Sequence, residues 1–86
     1  MADVIIINEA DNVAVVMRDV AAGRAIELPG GESLTALADL PAGHKVAITA
    51  IGEGGAIVKY GESIGEAAED IAAGDWVHTH NIKPAK

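Results

Sequence analysis

The sequence predicts a small, mostly β fold, and two observations carry that prediction. Apolar runs are short, and nearly every one closes on Gly, Pro, Asn or Asp, the punctuation of strands joined by turns. A second pattern, Asp–aliphatic–any–Ala–Gly, occurs three times, as Asp19-Val20-Ala21-Ala22-Gly23, Asp39-Leu40-Pro41-Ala42-Gly43 and Asp70-Ile71-Ala72-Ala73-Gly74. It reads as a recurrent turn in which the aliphatic residue plugs the core and Gly takes a positive φ ahead of the next strand. Two of the three copies follow Gly-Glu-Ser-aliphatic, at residues 31–34 and 61–64. Spacing this uneven argues against a solenoid and for a compact fold with rough internal symmetry.

In chain order, residues 4–7 form a first strand, ended by the turn Asn8-Glu9-Ala10-Asp11-Asn12. Residues 13–17 form a second strand and residues 25–28 a third, which stops at Pro29-Gly30-Gly31. Residues 33–38 read as a turn or short helix. Residues 44–51 make the longest strand, and Gly52-Glu53-Gly54-Gly55 turns the chain into residues 56–60. Ser63-Ile64-Gly65-Glu66 matches a capping box, and Ile64, Ala67, Ala68 and Ile71 share a helical face, so one or two short helical turns are expected there. Residues 76–80 form the last strand.

At 86 residues, with half of them hydrophobic, the chain has room for a single domain with a modest core of Ile, Val, Leu and Ala, since it contains no Phe, one Tyr and one Trp. A domain this small without disulfides is expected to gain stability from a partner or from self-association. The absence of Cys excludes thiol catalysis and zinc–thiolate sites and agrees with a cytoplasmic location. No apolar run approaches membrane-spanning length, and the run at residues 4–7 is too short for a signal peptide and lacks a basic flank. A net charge of −7 argues against nucleic acid, whose binding needs clustered Lys and Arg. Four of the six basic residues, Lys45, Lys59, Lys83 and Lys86, lie in the C-terminal half, so a small anion remains a compatible ligand.

The polar chemistry concentrates in Gly74-Asp75-Trp76-Val77-His78-Thr79-His80-Asn81. If extended, this segment puts His78 and His80 on one side, about 7 Å apart, with Trp76 behind them. Two imidazoles at that spacing suit one metal ion or one anion. They do not complete a site, so two exposed strand residues, or one satisfied hydrogen-bonding partner, is the plainer reading of the residues alone. Asn81 orients a ligand or closes a turn. His44 and Lys45 open the longest strand, where a polar strand end is the plainer account and a Lys holding a carboxylate the sharper one. Lys59 and Tyr60 precede a Gly turn, and Tyr60 reads as half-buried packing or as a site residue. Trp76 reads as a core or interface residue.

Gly43-His44-Lys45, Lys59-Tyr60-Gly61 and His78-Thr79-His80-Asn81, in this order and spacing, resemble the SAF domain of the altronate–galactarate dehydratase family, over about half the chain. The resemblance implies a β-clip fold of the antifreeze-like kind. It also implies a module that is either fused to a much larger catalytic region or paired with a large subunit, as in the small subunit of sulfolactate sulfo-lyase. On that resemblance the chain is expected to be a non-autonomous subunit of a lyase that removes water or sulfite from a sugar acid or other 2-hydroxy acid with a divalent metal, commonly iron. His78 and His80 are then metal ligands, His78, His80, Lys59 and Tyr60 are catalytic groups, and Asn81, His44 and Lys45 contact substrate. A neutral imidazole removes a proton from carbon near neutral pH, and a chelated metal polarises the leaving group. The rival expectation is a stand-alone SAF module that binds or assembles without catalysis. Ice binding needs a flat Thr-rich face, and three Thr do not supply one.

Overall fold

A four-stranded antiparallel sheet runs through the middle of the molecule, and both of its faces are covered. The computed structural model describes residues 2–84, which leaves Lys86 outside the described residues. Among these residues are nine strands: β1 (Val4–Ile5), β2 (Val13–Val16), β3 (Ala25–Glu27), β4 (Ser33–Thr35), β5 (Lys45–Ala47), β6 (Ala56–Lys59), β7 (Glu62–Ala67), β8 (Trp76–Val77) and β9 (Ile82–Lys83). The central sheet has the order β1-β2-β5-β8; β3 and β4 form a hairpin, and β6, β7 and β9 a three-stranded sheet. The small β domain expected from the sequence is what the chain forms.

Side-chain alternation in the central sheet explains the packing. Val4, Ala14, Val16, Val46 and Trp76 share one face by register and pack against Ile26, Leu28 and Ala36 from the β3–β4 side. Val13, Ala47 and Val77 share the other and pack against Ile57, Ala67 and Ile82 of the β6-β7-β9 sheet. Neighbouring residues such as Trp76 and Val77 therefore serve different cores.

The repeated turn resolves into a duplication. Val20 bridges Leu40, and Ile51 bridges Ile71, an offset of 31 residues in both positions. In the first pair the clasp is reciprocal: the Ala22 N–H donates to the Asp39 carboxylate and the Ala42 N–H to that of Asp19, both at 2.9 Å. In the second, the Glu53 N–H donates to Asp70 at 2.8 Å, while Ala50 stands where Asp19 does. The segment 50–54 is thus a fourth copy that lacks its acid. Gly23, Gly43, Gly54 and Gly74 all have positive φ, between 81° and 92°. At Gly74 a Cβ would also run into the Thr35 carbonyl, so the two halves touch where only Gly fits.

Several expected elements differ. Residues 63–71 are not helical: Glu62–Ala67 is β7, and the Ser63 hydroxyl donates to the Gly65 carbonyl at 3.3 Å instead of capping a helix. The apolar spacing that imitated a helix comes from a β-bulge, because Ile57 opposes Gly65 while Val58 opposes Ser63, leaving Ile64 as the extra, exposed residue. Gly65 also lets β9 approach, since a Cβ there would sit 2.8 Å from Ile82 Cγ2 and the Lys83 carbonyl. Residues 33–38 begin with β4 rather than a helical turn. The long strand at 44–51 is only Lys45–Ala47, because the chain then leaves the sheet so that Ile51 can bridge Ile71. The strand at 76–80 stops at Val77.

Candidate functional site

Strands β5 and β8 lie side by side and bring His44 to the ring of Trp76. Val46 pairs with Trp76, so the residue two before Val46 lies on the same face as the indole. The indole Nε1–H donates to His44 Nδ1 at 3.3 Å, and the rings meet edge-on with centroids 5.5 Å apart. This fixes the tautomer of His44: Nδ1 accepts, which leaves Nε2 to carry the proton in the neutral ring.

The end of β8 is set by Asn81, which is 1% exposed. Its side-chain oxygen accepts from the His78 N–H at 2.9 Å, its Nδ2 donates to the Trp76 carbonyl at 2.8 Å, and its own N–H donates to the His78 carbonyl at 3.0 Å. The carboxamide replaces the missing strand partner and folds residues 78–81 into a turn. That turn, not strand alternation, brings the two C-terminal imidazoles together. The His78 ring lies flat on the indole, 5.1 Å between centroids with planes 8° apart, and the His80 ring tilts against it at 5.3 Å. His44 and His78 rings are 5.2 Å apart. All three histidines of the chain thus gather on one indole.

Trp76 is only partly buried, so it works as a platform as well as a core residue, a role that sequence reasoning missed. The signal was its position one strand period from His78. Asn81 is fully engaged with the backbone, so it shapes the loop and presents no polar atom outward.

The remaining expected residues form a second group. Lys45 pairs with Val77 and Val15, which puts it on the sheet face opposite Trp76. It is half-buried, and burial together with the nearby charge of Lys59 lowers its pKa from the ordinary lysine value. Lys59 Nζ sits 4.8 Å from the centre of the Tyr60 ring. Tyr60 is exposed and is the one non-Gly residue at positive φ (56°) among the described residues. The buried Asp11 carboxylate holds it there, accepting from the Gly61 N–H at 2.8 Å and the Asn8 N–H at 3.2 Å. Burial pushes the Asp11 pKa up, but the backbone amides of Gly61, Tyr60, Asn8 and Ile7 outweigh it and the net direction is down. Asn12 braces the same strand, accepting from the Val58 N–H and donating to the Ala56 carbonyl, both at 2.8 Å. Asp11 and Asn12 read in the sequence as mere turn residues; their short amide-seeking side chains were the available clue.

Among the described residues no group of three or more His, Cys, Asp or Glu gathers to hold a metal. The ring cluster offers imidazole nitrogen, the right donor chemistry, but an incomplete set. In chemical terms it can lend one or two imidazole ligands to a metal completed from elsewhere.

Fold and site together define a small β domain with three histidines collected on one indole at a sheet edge. The profile of the altronate/galactarate dehydratase SAF domain matches residues 2–85, and the chain belongs to that family. It is 40% identical over 83 residues to altronate dehydratase of Bacillus subtilis (strain 168), covering 96% of this chain and 16% of that protein. Over 77 residues it is 43% identical to altronate dehydratase of Escherichia coli (strain K12), covering 90% of this chain and 15% of the relative. It is 52% identical over 50 residues to (2R)-sulfolactate sulfo-lyase subunit alpha of Paracoccus pantotrophus, covering 58% of this chain and 75% of that subunit. The chain therefore spans about a sixth of the length of the two dehydratases.

Proposed function

We propose that this chain is the small component of a hydro-lyase or sulfo-lyase acting on a sugar acid or other 2-hydroxy acid, and that its His78/His80 loop completes an active site shared with a large catalytic chain. The observation that carries this reading is the collection of three imidazoles on the Trp76 ring, with no group of three or more metal-ligating side chains among the described residues to make a self-sufficient site. The relatives support it: two are dehydratases in which the matching segment is a small fraction, and one is a sulfo-lyase subunit of comparable size.

In this role a neutral His78 or His80 takes the proton from the carbon next to the carboxylate, and Asn81 keeps both rings over Trp76. His44, whose Nδ1 accepts from the indole, keeps its Nε2–H free to donate to a substrate oxygen. A divalent metal, iron by expectation, would draw on His78 and His80 with its other ligands from the large chain, and would polarise the departing water or sulfite.

Turnover of the reconstituted complex tests the reading. His78→Ala and His80→Ala should each lower turnover roughly a hundredfold or more, with a loss of about 1 kcal/mol or less in the stability of the small chain. Wild-type turnover in both variants would defeat the assignment. Elimination by the small chain alone would defeat the subunit role.

A further inference from the structure

Lys45 lies on the sheet face opposite the Trp76 ring, and the Lys59–Tyr60 pair stands on its side. The register places Ile5 beside Val15 and Val15 beside Lys45 in one cross-strand row. Lys59 lies close enough to Lys45 to perturb it, and Lys59 in turn covers the Tyr60 ring. Asp11 accepts from the Asn8 and Gly61 N–H groups, so one carboxylate ties together the backbone just after Ile7 and just after Tyr60. Ile5, Ile7 and Tyr60 are 41%, 58% and 54% exposed, so three large apolar side chains on these neighbouring segments stand uncovered. Scattered exposed apolar residues are ordinary, whereas a joined apolar–aromatic–cationic patch has the composition of an interface.

Charge identifies the kind of occupant. In a chain with thirteen acidic and six basic residues, neither Lys45 nor Lys59 makes an ion pair among the described residues; the pair that is present joins Arg18 to Asp3 at another site. Two neighbouring lysines, both half-buried, without a carboxylate between them leave a place for one from outside. The left-handed backbone at Tyr60 points the same way. A Gly would suit that conformation better, so the aromatic side chain is kept there against a backbone cost.

We propose that the Ile5–Ile7–Lys45–Lys59–Tyr60 surface docks an acidic, apolar segment of the large catalytic chain. This inference rests on the subunit reading above. A self-dimer would need roughly 800 Å² from each partner, about a sixth of the 4879 Å² surface of this chain, and a five-residue patch cannot supply it alone. It suits one anchor of a larger interface that continues past β1. A small anion is a poorer occupant, because it would leave the exposed apolar side chains uncovered; the shallow depression of about 330 Å³ beside Arg18 and Asp19 contains none of these five residues.

The test is the affinity of the small chain for the large catalytic chain that the subunit reading requires, titrated at several salt concentrations. Ile7→Glu and Ile5→Glu should each weaken binding roughly tenfold or more, while turnover at saturating small chain stays at the wild-type value. Lys45→Gln with Lys59→Gln should weaken binding and flatten its salt dependence. Unchanged affinity in all of these variants would overturn the docking surface and leave the subunit reading standing. Failure of the wild-type chain to bind the large chain would overturn both. Lost turnover at saturation with intact affinity in the lysine variant would reassign the lysines to substrate and overturn the proposal. Dimers of the wild-type small chain that the Ile variants abolish would overturn it in favour of a second copy.

Discussion

Three buried polar side chains, Asp3, Asp11 and Asn81, each hold a loop by accepting or donating to backbone, and no buried side-chain polar atom among the described residues lacks a partner. Removing Asn81 would leave the His78 N–H and the Trp76 carbonyl without their partner. Asn81→Ala should therefore lower stability by about 2 kcal/mol or more, measured by chemical denaturation, and loosen the stacked rings. Tyr60→Gly should do the opposite and stabilise by about 0.5–1 kcal/mol, because relief of the left-handed strain exceeds the entropy that Gly adds to the unfolded chain. The acidic pair gives a pH dependence. The Asp3 pKa falls below its ordinary 3.8, first because the Glu27 N–H donates to it, against the effect of burial, and further through Arg18. With Asp11 lowered as well, both carboxylates stabilise the fold fully above about pH 4 and release that stability as pH falls below it. Melting temperature should hold on the neutral side and drop across that acid window; a flat profile down to pH 2 would contradict these contacts.

At the scale of elements, the duplication makes a graded prediction. Asp39→Ala should cost about 1 kcal/mol by removing the acceptor for the Ala22 N–H. Ala50→Asp should recover a similar amount, since it restores the one acid missing from the fourth clasp turn and Ala50 is exposed. Thermal melts of the two variants would check both signs. The turns were legible in the sequence because Asp, aliphatic and Gly each do one necessary thing there. The fourth copy was not, because without its Asp only the aliphatic and the Gly remain. The helix expected at 63–71 failed for a related reason: a bulge at Ile64 shifts the strand period by one and counterfeits a helical spacing. The histidine cluster was foreseen as a convergence but not in its cause, since a carboxamide that bonds backbone five residues away leaves no periodic trace. His44, Lys45, Lys59 and Tyr60 of the second copy stand where the first has Val13, Ala14, Leu28 and Pro29.

For the molecule as a whole, circular dichroism should show β structure with no appreciable helical signal, and unfolding should follow one transition by every probe. The reason lies in β5. As the partner of β2 it closes the first copy of the repeat, and as the partner of β8 it opens the second. Its residues Val46 and Ala47 point into the two different cores and are both fully buried. Neither copy can then open without withdrawing a strand from the other. The amide protons of β5 should accordingly exchange with deuterated solvent only when the entire chain unfolds, and should report the global free energy, while those of the loop at Gly52–Gly55 exchange through local openings. A strand of three residues, shared between two halves, would then be the slowest-exchanging part of the protein.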